Sequence, residues 1–463
     1  LHKVKLILFY VLKHFCLFEE TKHMPSHKKG DKRLLRAWAS YDWANSVYFL
    51  VISSAIFPLY YGYICADETH LEVFGMSFKN TALISYVTAL AFMFIAIWSP
   101  ILSGIADYMG NKKRFMQFYC YLGSAACIGL YWFEIDNLLW GLLFYFLALV
   151  GAWSSLVFYN SYLPDIAYPE QHNKISARGF ALGYIGSVLL LLINLFMVLK
   201  PEWFNIPGES GAASLKAMRY SFVMVGIWWF GFSHIAFYHL PRGFKDKVYT
   251  KDIFFNGYRE LTMVWKNLRN LTQLKRYLGA FFVFSMALQT VMIVAAYFGE
   301  QEISWSGQEK TMGLIISILL IQIIAIFGAL LSSKLANKWG NIKTLILLNG
   351  IWVALCISAY FIYEPIEFYF VAAFVGLCMG GIQSVARSTY SQMIPETLDT
   401  TSYFSFYDVA EKVGIVIGML MYGTIDQITG SMRNAILFFV LFFFVGAILL
   451  FRLYRKDKNL AVN

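Results

Sequence analysis

Apolar residues dominate long stretches of this chain, and short polar segments separate the stretches. A helix needs about 20 mainly apolar residues to cross the hydrocarbon core of a bilayer, and a dozen stretches meet that need. They predict membrane-spanning helices, six on each side of a basic segment, at 43–64, 81–103, 115–133, 138–163, 176–199, 219–240, 277–299, 311–333, 344–363, 367–394, 404–424 and 433–453.

The same pattern divides the chain into parts. We expect the native chain to begin at Met24, so that residues 1–23 precede it within a cytoplasmic N-terminal segment at 1–36. Two six-helix halves follow at 37–240 and 277–453, and a cytoplasmic tail at 454–463 ends the chain. The loop between the halves, at 241–276, has apolar residues at helical spacing among basic ones, which predicts an interfacial amphipathic helix.

The composition excludes a large soluble core, because 59% of the residues are hydrophobic and only 14% are charged. The net charge of +10 does not indicate a nucleic acid partner, since the basic residues are dispersed without a recognition motif. The distribution of the basic residues indicates instead how the chain is oriented in the membrane. Of the 38 Lys and Arg residues, 29 lie in loops, tails and helix ends on one side and 6 on the other, so both termini are predicted to be cytoplasmic.

The motifs of an enzyme or an ATP-driven pump are missing from the sequence. The eight histidines show no H-x-x-x-H or H-E-x-x-H spacing, the six cysteines show no metal-ligand spacing, and no G-x-x-x-x-G-K-[ST] motif is present. We therefore expect no enzyme activity, no metal and no cofactor. We also expect a monomer in the lipid bilayer. Short loops without an organelle signal are typical of the bacterial inner (cytoplasmic) membrane.

An internal repeat supports the division into two halves. "SGIADYMGNKK" at 103–113 aligns without gaps with "SKLANKWGNIK" at 333–343, so that Asp107 matches Asn337. Both copies follow the second helix of their half on the same side, and the halves therefore share one orientation. Parallel six-helix repeats point to the major facilitator architecture, in which the solute site lies between the halves near the membrane midplane.

Five segments carry a resemblance to a known family. "SGIADYMGNKKR" resembles the major facilitator loop pattern G-x-x-x-D-x-x-G-x-[RK]-[RK], with Ser103 at the leading glycine position. The segments "YDWANS", "FYNSYLPDIA", "ALGYIGSVLLLL" and "GGIQSVARS" resemble the vacuole-effluxer-like branch of that superfamily. The resemblance covers 36–450 and implies an all-α membrane protein with twelve transmembrane helices in two parallel six-helix repeats. For fungal members it implies amino acid efflux from the vacuole, and the vacuolar location does not transfer to a chain with bacterial features.

Asp42 and Asn45 lie at the start of the first predicted helix and allow two interpretations. Asp42 caps the first helical turn, where a carboxylate accepts hydrogen bonds from free amides and meets the positive end of the helix dipole. Alternatively, it makes a cytoplasmic gate contact that it shares with Asn45.

The repeat residues Asp107 and Asn337 also have two interpretations. In this fold the loop after helix 2 lies near the inner end of helix 11, so we expect Asp107 to cap that helix around Ser402 and to hold the halves together in the outward-open state. Asn337 would be its uncharged counterpart near Ser176, at the start of helix 5. The alternative is a pair of tight-turn residues, anchored in the first copy by lipid-facing basic residues at 112–114.

Polar residues inside predicted helices are costly and form a candidate gate toward the cytoplasmic side. Its members are Asn160, Arg178, Arg387, Asp408, Glu411 and Lys412. Asp408 and Lys412 are four residues apart, a spacing that favours pairing, which leaves Glu411 to meet Arg387 or Arg178. The alternative is a purely structural ion network.

The predicted helices 1, 4, 7 and 10, which line the cavity in this fold, carry uncharged polar residues near their centres. The candidate solute-binding residues are Ser53, Ser54, Trp153, Ser154, Ser155, Gln289 and Gln383. Taken singly, each could instead serve helix packing. Together they predict a small polar solute that is uncharged or zwitterionic.

These residues favour a secondary-active transporter that works by alternating access, and the resemblance implies amino acid efflux as one activity. Two modes stay open. In the first mode, a proton is transported as a second partner, and Glu411 carries it and exchanges it against Arg387 as the inner side opens. In the second mode, the solute gradient alone drives a facilitative permease. A non-transporting solute receptor on the same fold is a third alternative.

Overall fold

The computed structural model describes residues 28–66, 70–73, 75–242, 253–306 and 309–460, and the predicted start at Met24 lies outside these ranges. Twelve long helices dominate the described residues. The first half contains α1 Lys32–Ile64, α2 Asn80–Met109, α3 Lys112–Gly129, α4 Leu138–Ser161, α5 Pro169–Leu199 and α6 Ser210–His239. The second half contains α7 Thr272–Glu302, α8 Glu309–Trp339, α9 Asn341–Phe361, α10 Pro365–Met393, α11 Thr400–Thr429 and α12 Met432–Leu460.

Each predicted helix corresponds to one of these, but all except α4 begin earlier than predicted, by seven residues or more in α1, α5 and α6. Helix α1 begins at Lys32 because Asp31 caps it, accepting hydrogen bonds from the amides of Arg33 at 2.6 Å and Leu34 at 3.3 Å. Helix α11 begins at Thr400 instead of residue 404. The sequence-based starts were late because polar first turns precede the apolar runs.

Ten of the described helices are long and apolar enough to cross a membrane. The other two are α3, which has 18 residues and begins with three basic ones, and α11, which carries ionisable residues in its middle. Both pack like their neighbours, α3 on α4 and α6, and α11 on α2 and α7. All twelve helices therefore belong to one bundle. We call the end with the start of α1 and the end of α12 the inner end, and the opposite end the outer end.

Buried apolar side chains form one cluster in each half. The first cluster extends from Leu34 to Leu240 and includes Ile415 from α11, and the second extends mainly from Val264 to Leu453. Contacts between the halves involve α2 with α11, α5 with α8 and α10, and α4 with α11. Each half is therefore a packing unit of its own, and the two meet along a narrower seam.

An arginine closes the outer end of each half. Arg219 of α6 donates a hydrogen bond to the carbonyl of Tyr131 at 2.5 Å and forms an ion pair with Glu134. Arg433 of α12 pairs with the carboxylate of Glu302 at 2.8 Å and donates to three carbonyls at the end of α9. In both halves, an arginine from the sixth helix satisfies carbonyls at the end of the third.

Two smaller elements join the long helices. Strand β1, His70–Val73, pairs with β2, Met76–Lys79, in an antiparallel hairpin between α1 and α2. The central helix, Ile253–Asn270, lies between the halves, within the segment predicted to be amphipathic, and packs against α2.

Candidate functional site

The inner ends of α2 and α11 are joined by a carboxylate. Gly110, with a φ of 68°, ends α2 and turns the chain. The two carboxylate oxygens of the buried Asp107 accept hydrogen bonds from the amides of Thr401 at 3.2 Å and Ser402 at 2.6 Å. A negative charge at the first free amides of a helix is favourable. The prediction that Asp107 caps helix 11 around Ser402 is therefore confirmed.

Lys112, the first residue of α3, extends this contact between the halves. Its ammonium group donates to the hydroxyl of Thr400 at 2.9 Å and to the carbonyl of Ser161 at 2.9 Å, and it pairs with Asp165. Lys112 and Lys113 are both buried, so the interpretation of these residues as lipid-facing anchors was wrong. We call Asp107 and Lys112, with the start of α11, the charged clasp.

The second copy of the repeat makes an uncharged counterpart. The amide nitrogen of Asn173, on α5, donates to the side-chain oxygens of Asn337 at 2.9 Å and Asn341 at 2.7 Å. Ser388 of α10 donates to the side-chain oxygen of Asn173 at 2.7 Å. Asn337 thus meets the beginning of α5 at Asn173, not at the predicted Ser176, and it contacts a side chain instead of free backbone amides. We call Asn173, Asn337 and Asn341 the amide clasp.

Arg387 of α10 reaches across the seam into the first half. Its guanidinium group pairs with the carboxylate of Asp42 at 3.1 Å and donates to the side-chain oxygen of Asn160 at 3.2 Å. It also donates to the hydroxyl of Ser176 at 3.0 Å and to the carbonyl of the same residue at 2.9 Å. Four groups of α1, α4 and α5 therefore hold one cation from the other half.

Aromatic rings enclose the same guanidinium group. Its central carbon lies 4.1 Å from the ring centre of Phe180, 5.0 Å from that of Trp38 and 5.5 Å from that of Tyr159. The hydroxyl of Tyr159 also donates to Asp42 at 2.8 Å. Because Arg387 is only 3% exposed, the ion pair is shielded from solvent and separating it leaves two buried charges.

Three predictions about the gate need correction. Asp42 does not cap the first helix, because α1 begins ten residues earlier and Asp42 lies inside it. Asn45 does not share the Asp42 contact, and its buried amide has no hydrogen-bond partner among the described residues. Arg178 is exposed and lies outside the contact around Arg387. The residues that the structure brings together are Asp42, Asn160 and Arg387.

A second charged group lies deeper in the bundle, on α11. The ammonium group of Lys412 pairs with Asp408 at 2.8 Å, as predicted, and with Glu411 at 2.8 Å. It also lies 3.8 Å from the ring centre of Trp153, on α4 of the other half. The amide of Gln289, on α7, donates to Glu411 at 2.6 Å. The predicted pairing of Glu411 with Arg387 or Arg178 was therefore wrong.

The depth of this group also differs from the prediction. Because α11 begins at Thr400, Lys412 lies about 18 Å along a helix of about 44 Å, close to its middle. The sequence prediction places Asp408, Glu411 and Lys412 closer to the cytoplasmic side than this. We call these three residues with Trp153 and Gln289 the central cluster, since the structure joins predicted gate residues to predicted solute-binding residues.

The remaining solute-binding candidates do not join the central cluster. Gln383 accepts a hydrogen bond from the hydroxyl of Tyr184 across the seam at 2.9 Å. Ser154 and Ser155 are buried in the packing of α4. Ser53 and Ser54 are exposed and lie in a π-helical stretch of α1, Tyr48–Ile56, where the Ser54 hydroxyl donates to the carbonyl of Phe49 at 2.8 Å. Such irregular turns often occur at functional sites.

Comparison with known proteins identifies the family. A family model described as "Vacuole effluxer Atg22 like" matches residues 30–461. The chain belongs to this family. It is thus a major facilitator superfamily transporter of the Atg22-like branch, as the resemblance of its motifs predicted.

Individual relatives agree with this assignment. The chain is 29% identical to the "Uncharacterized MFS-type transporter YxiO" of Bacillus subtilis, over 89% of this chain and 93% of the relative. It is 23% identical to Autophagy-related protein 22 of Saccharomyces cerevisiae, over 88% of this chain and 89% of the relative.

Solved structures show the fold of this Atg22-like chain. The transporter FucP in its outward conformation has a TM-score of 0.64 at 15% identity, covering 90% of this chain and 98% of FucP. A double tryptophan variant of XylE has a TM-score of 0.66 at 12% identity, covering 91% and 94% of the two chains. The Atg22-like chain therefore has the twelve-helix major facilitator fold with two six-helix repeats.

Several site residues escaped sequence reasoning. Trp38, Tyr159 and Phe180 resemble ordinary core aromatics, and nothing in their local sequence indicates a common cation. Lys112 is part of the loop pattern, but the sequence offered only a lipid-facing position for it, in the alternative interpretation of the repeat. The repeat itself was a usable signal. It aligns Asn341 with Asn111 and makes the α8–α9 turn the counterpart of the α2–α3 turn, so a contact with the other half was to be expected at both turns.

Proposed function

We propose that this Atg22-like transporter carries a small zwitterionic solute of the amino acid class by alternating access, coupled to a proton, in the bacterial cytoplasmic membrane with both termini inside. The observation that carries this proposal is the central cluster. One ammonium group, two carboxylates, an amide and an indole ring lie near the middle of the bundle, where ionisable groups are costly and usually functional.

The chemistry of the cluster fits a zwitterion. The ammonium group of Lys412 suits a solute carboxylate, and the ring of Trp153 suits a solute ammonium group. Trp153 belongs to the first half and the other members to the second, so a bound solute would contact both halves. This arrangement is the one that alternating access requires of a solute site.

The polar contacts across the seam supply a gate. The charged clasp, the amide clasp and the Arg387 ion pair all lie between the inner end and the middle of the bundle. In our proposal this is the outward-open state, and the inner path opens when these contacts separate. Binding of solute can shift this equilibrium only through a difference in affinity between the two states.

Proton coupling is assigned to Glu411. Its carboxylate is partly exposed, pairs with Lys412 and accepts from Gln289, so protonation would release both partners. A solute carboxylate could then take the place of Glu411 beside Lys412. Arg387 has Asp42 as its partner, and the exchange of Glu411 against Arg387 is no longer part of the proposal.

The test compares two transport modes in proteoliposomes. Radiolabelled amino acids are first screened for uptake driven by a pH gradient. Glu411→Gln is expected to lose uphill accumulation and to keep equilibrium counterflow, because the neutral amide cannot carry a proton but still holds the site together. Glu202→Gln, at an exposed acid near the outer end, is the matched control and is expected to behave like the unmodified protein.

Three results would contradict parts of the proposal. Unchanged pH-driven accumulation in Glu411→Gln would rule out Glu411 as the proton carrier. Counterflow without any pH-driven accumulation in the unmodified protein would indicate a facilitative permease. Saturable amino acid binding without flux would indicate a receptor.

A further inference from the structure

The central helix is fixed to the inner end of α2 by a close backbone contact. A Cβ atom added to Gly104 would lie 2.3 Å from the carbonyl oxygen of Gly257, so only glycine allows this approach. The side chain of Asn256 donates to the hydroxyl of Tyr108 at 3.0 Å. Because α2 ends at Met109, the contact lies within about 8 Å of its inner end.

The same helix also contacts the second half. The ring centres of Trp265 and Phe406, on α11, are 5.3 Å apart. Val264 and Leu268 belong to the apolar cluster of the second half. The buried face of the central helix therefore covers the seam between α2 and α11, next to the charged clasp.

The exposed side of the central helix presents aromatic rings, and Trp265 lies at its border with the buried face. Phe255 is 65% exposed, Tyr258 63% and Trp265 46%. Their spacing of three and seven residues puts them on one side of a helix with 3.6 residues per turn. Rings of this kind prefer the boundary between lipid and water, and a helix level with the last turns of α2 lies at that boundary.

Basic side chains accompany these rings. Between residues 253 and 276 the chain has five Lys or Arg residues and one acid, Glu260. Arg259, Lys266 and Arg269 are exposed, and the guanidinium group of Arg269 lies 5.7 Å from the ring centre of Trp265. The surface is therefore both aromatic and cationic.

We propose that this surface binds the headgroups of anionic phospholipids in the leaflet at the inner end. We call it the lipid surface, defined by Phe255, Tyr258, Trp265, Arg259, Lys266 and Arg269. The rings insert at the level of the headgroups and the basic groups pair with phosphates, a combination known from amphipathic helices that lie on membranes. Charge complementarity makes an anionic lipid, and not a zwitterionic one, the preferred occupant.

The experiment measures contact with lipids of different charge. Tyr258→Cys is labelled with a fluorophore after Cys16→Ser, because the five cysteines among the described residues are buried. The protein is reconstituted with equal fractions of brominated phosphatidylglycerol or brominated phosphatidylcholine. We expect stronger quenching by the anionic lipid. Asn267→Cys, exposed on the other side of the helix, is the control position and should be quenched less.

Charge variants complete the test. With the label at 258, Lys266→Gln combined with Arg269→Gln should reduce the ratio of quenching by the two lipids to about one. Lys334→Gln combined with Lys338→Gln, at exposed positions in the last turns of α8, is the matched control and should leave the ratio unchanged. Equal quenching by both lipids in the unmodified helix, or no quenching at 258, would overturn the proposal.

Discussion

The charged clasp and the amide clasp come from two copies of one sequence repeat but use different chemistry. In the first, Asp107 caps the start of α11 with a full negative charge and Lys112 pairs with Asp165. In the second, the side-chain oxygens of Asn337 and Asn341 accept hydrogen bonds from the amide nitrogen of Asn173. The repeat thus sets where the halves meet, while single residues decide whether charge contributes there.

The amide clasp carries no charge, but a charged contact lies deeper in the seam on the same side. On the side of α5, α8 and α10, the charge is held by Arg387 and Asp42, buried above the amide clasp. On the side of α2 and α11, the charge belongs to Asp107, next to the turn between α2 and α3. The inner end is therefore closed by one charged contact on each side, at two different depths. The two should differ in strength because Arg387 and Asp42 join two full charges across the seam, whereas Asp107 meets backbone amides of α11.

The largest effect is expected from Arg387→Gln. Removing one member of a buried ion pair leaves Asp42 uncompensated and typically costs about 3–5 kcal/mol, which should shift the protein strongly toward the inward-open state. Spin labels at Lys174→Cys on α5 and Lys338→Cys on α8 report the distance across the inner end. Adding Asp42→Asn should restore much of the closed population. Equal distances in the single variant and the unmodified protein would refute the prediction.

A smaller effect is expected from Asp107→Asn. The amide keeps an acceptor for α11 but loses the interaction of charge with the helix dipole, worth about 0.3–2 kcal/mol. The same spin-label pair should show a modest rise in the inward-open population. Asp136→Asn, at an exposed acid near the outer end, should leave the distances unchanged. A shift as large as that of Arg387→Gln would contradict this ranking.

The smallest effect is expected from Asn337→Asp. Asn337 is exposed and its oxygen accepts from a side chain, so a carboxylate there should change the equilibrium by no more than about 0.5 kcal/mol. For the same reason, combining it with Asp107→Asn should not restore the closed state. A double variant that matches the unmodified protein would show that the two clasps are interchangeable.

Local physics made part of this site predictable from sequence. Apolar run length gives the helices, and a spacing of four residues gives the Asp408 and Lys412 pair. Both depend on a helix length or a single helical turn, which a sequence displays directly. The Asp107 cap was predictable only through the fold that the repeat indicated, because 294 residues separate Asp107 from Thr401.

The contacts across the seam could not be predicted in this way. Asp42 and Arg387 are 345 residues apart, and their pairing depends on how α1, α4, α5 and α10 pack. The depth of Lys412 was misjudged because α11 begins with a polar turn that resembles a loop. Hydrophobicity marks where lipid surrounds a helix, but α11 lies between the halves, where that signal is weak.

The arginines that close the outer ends have a consequence for solvation. Carbonyls at the end of a helix need hydrogen-bond partners, and in a membrane protein those partners must come from protein or water. Arg219 and Arg433 supply them from within the same half, at Tyr131 and at the end of α9. Water can therefore enter or leave the space between the outer ends without any of these carbonyls losing its partner.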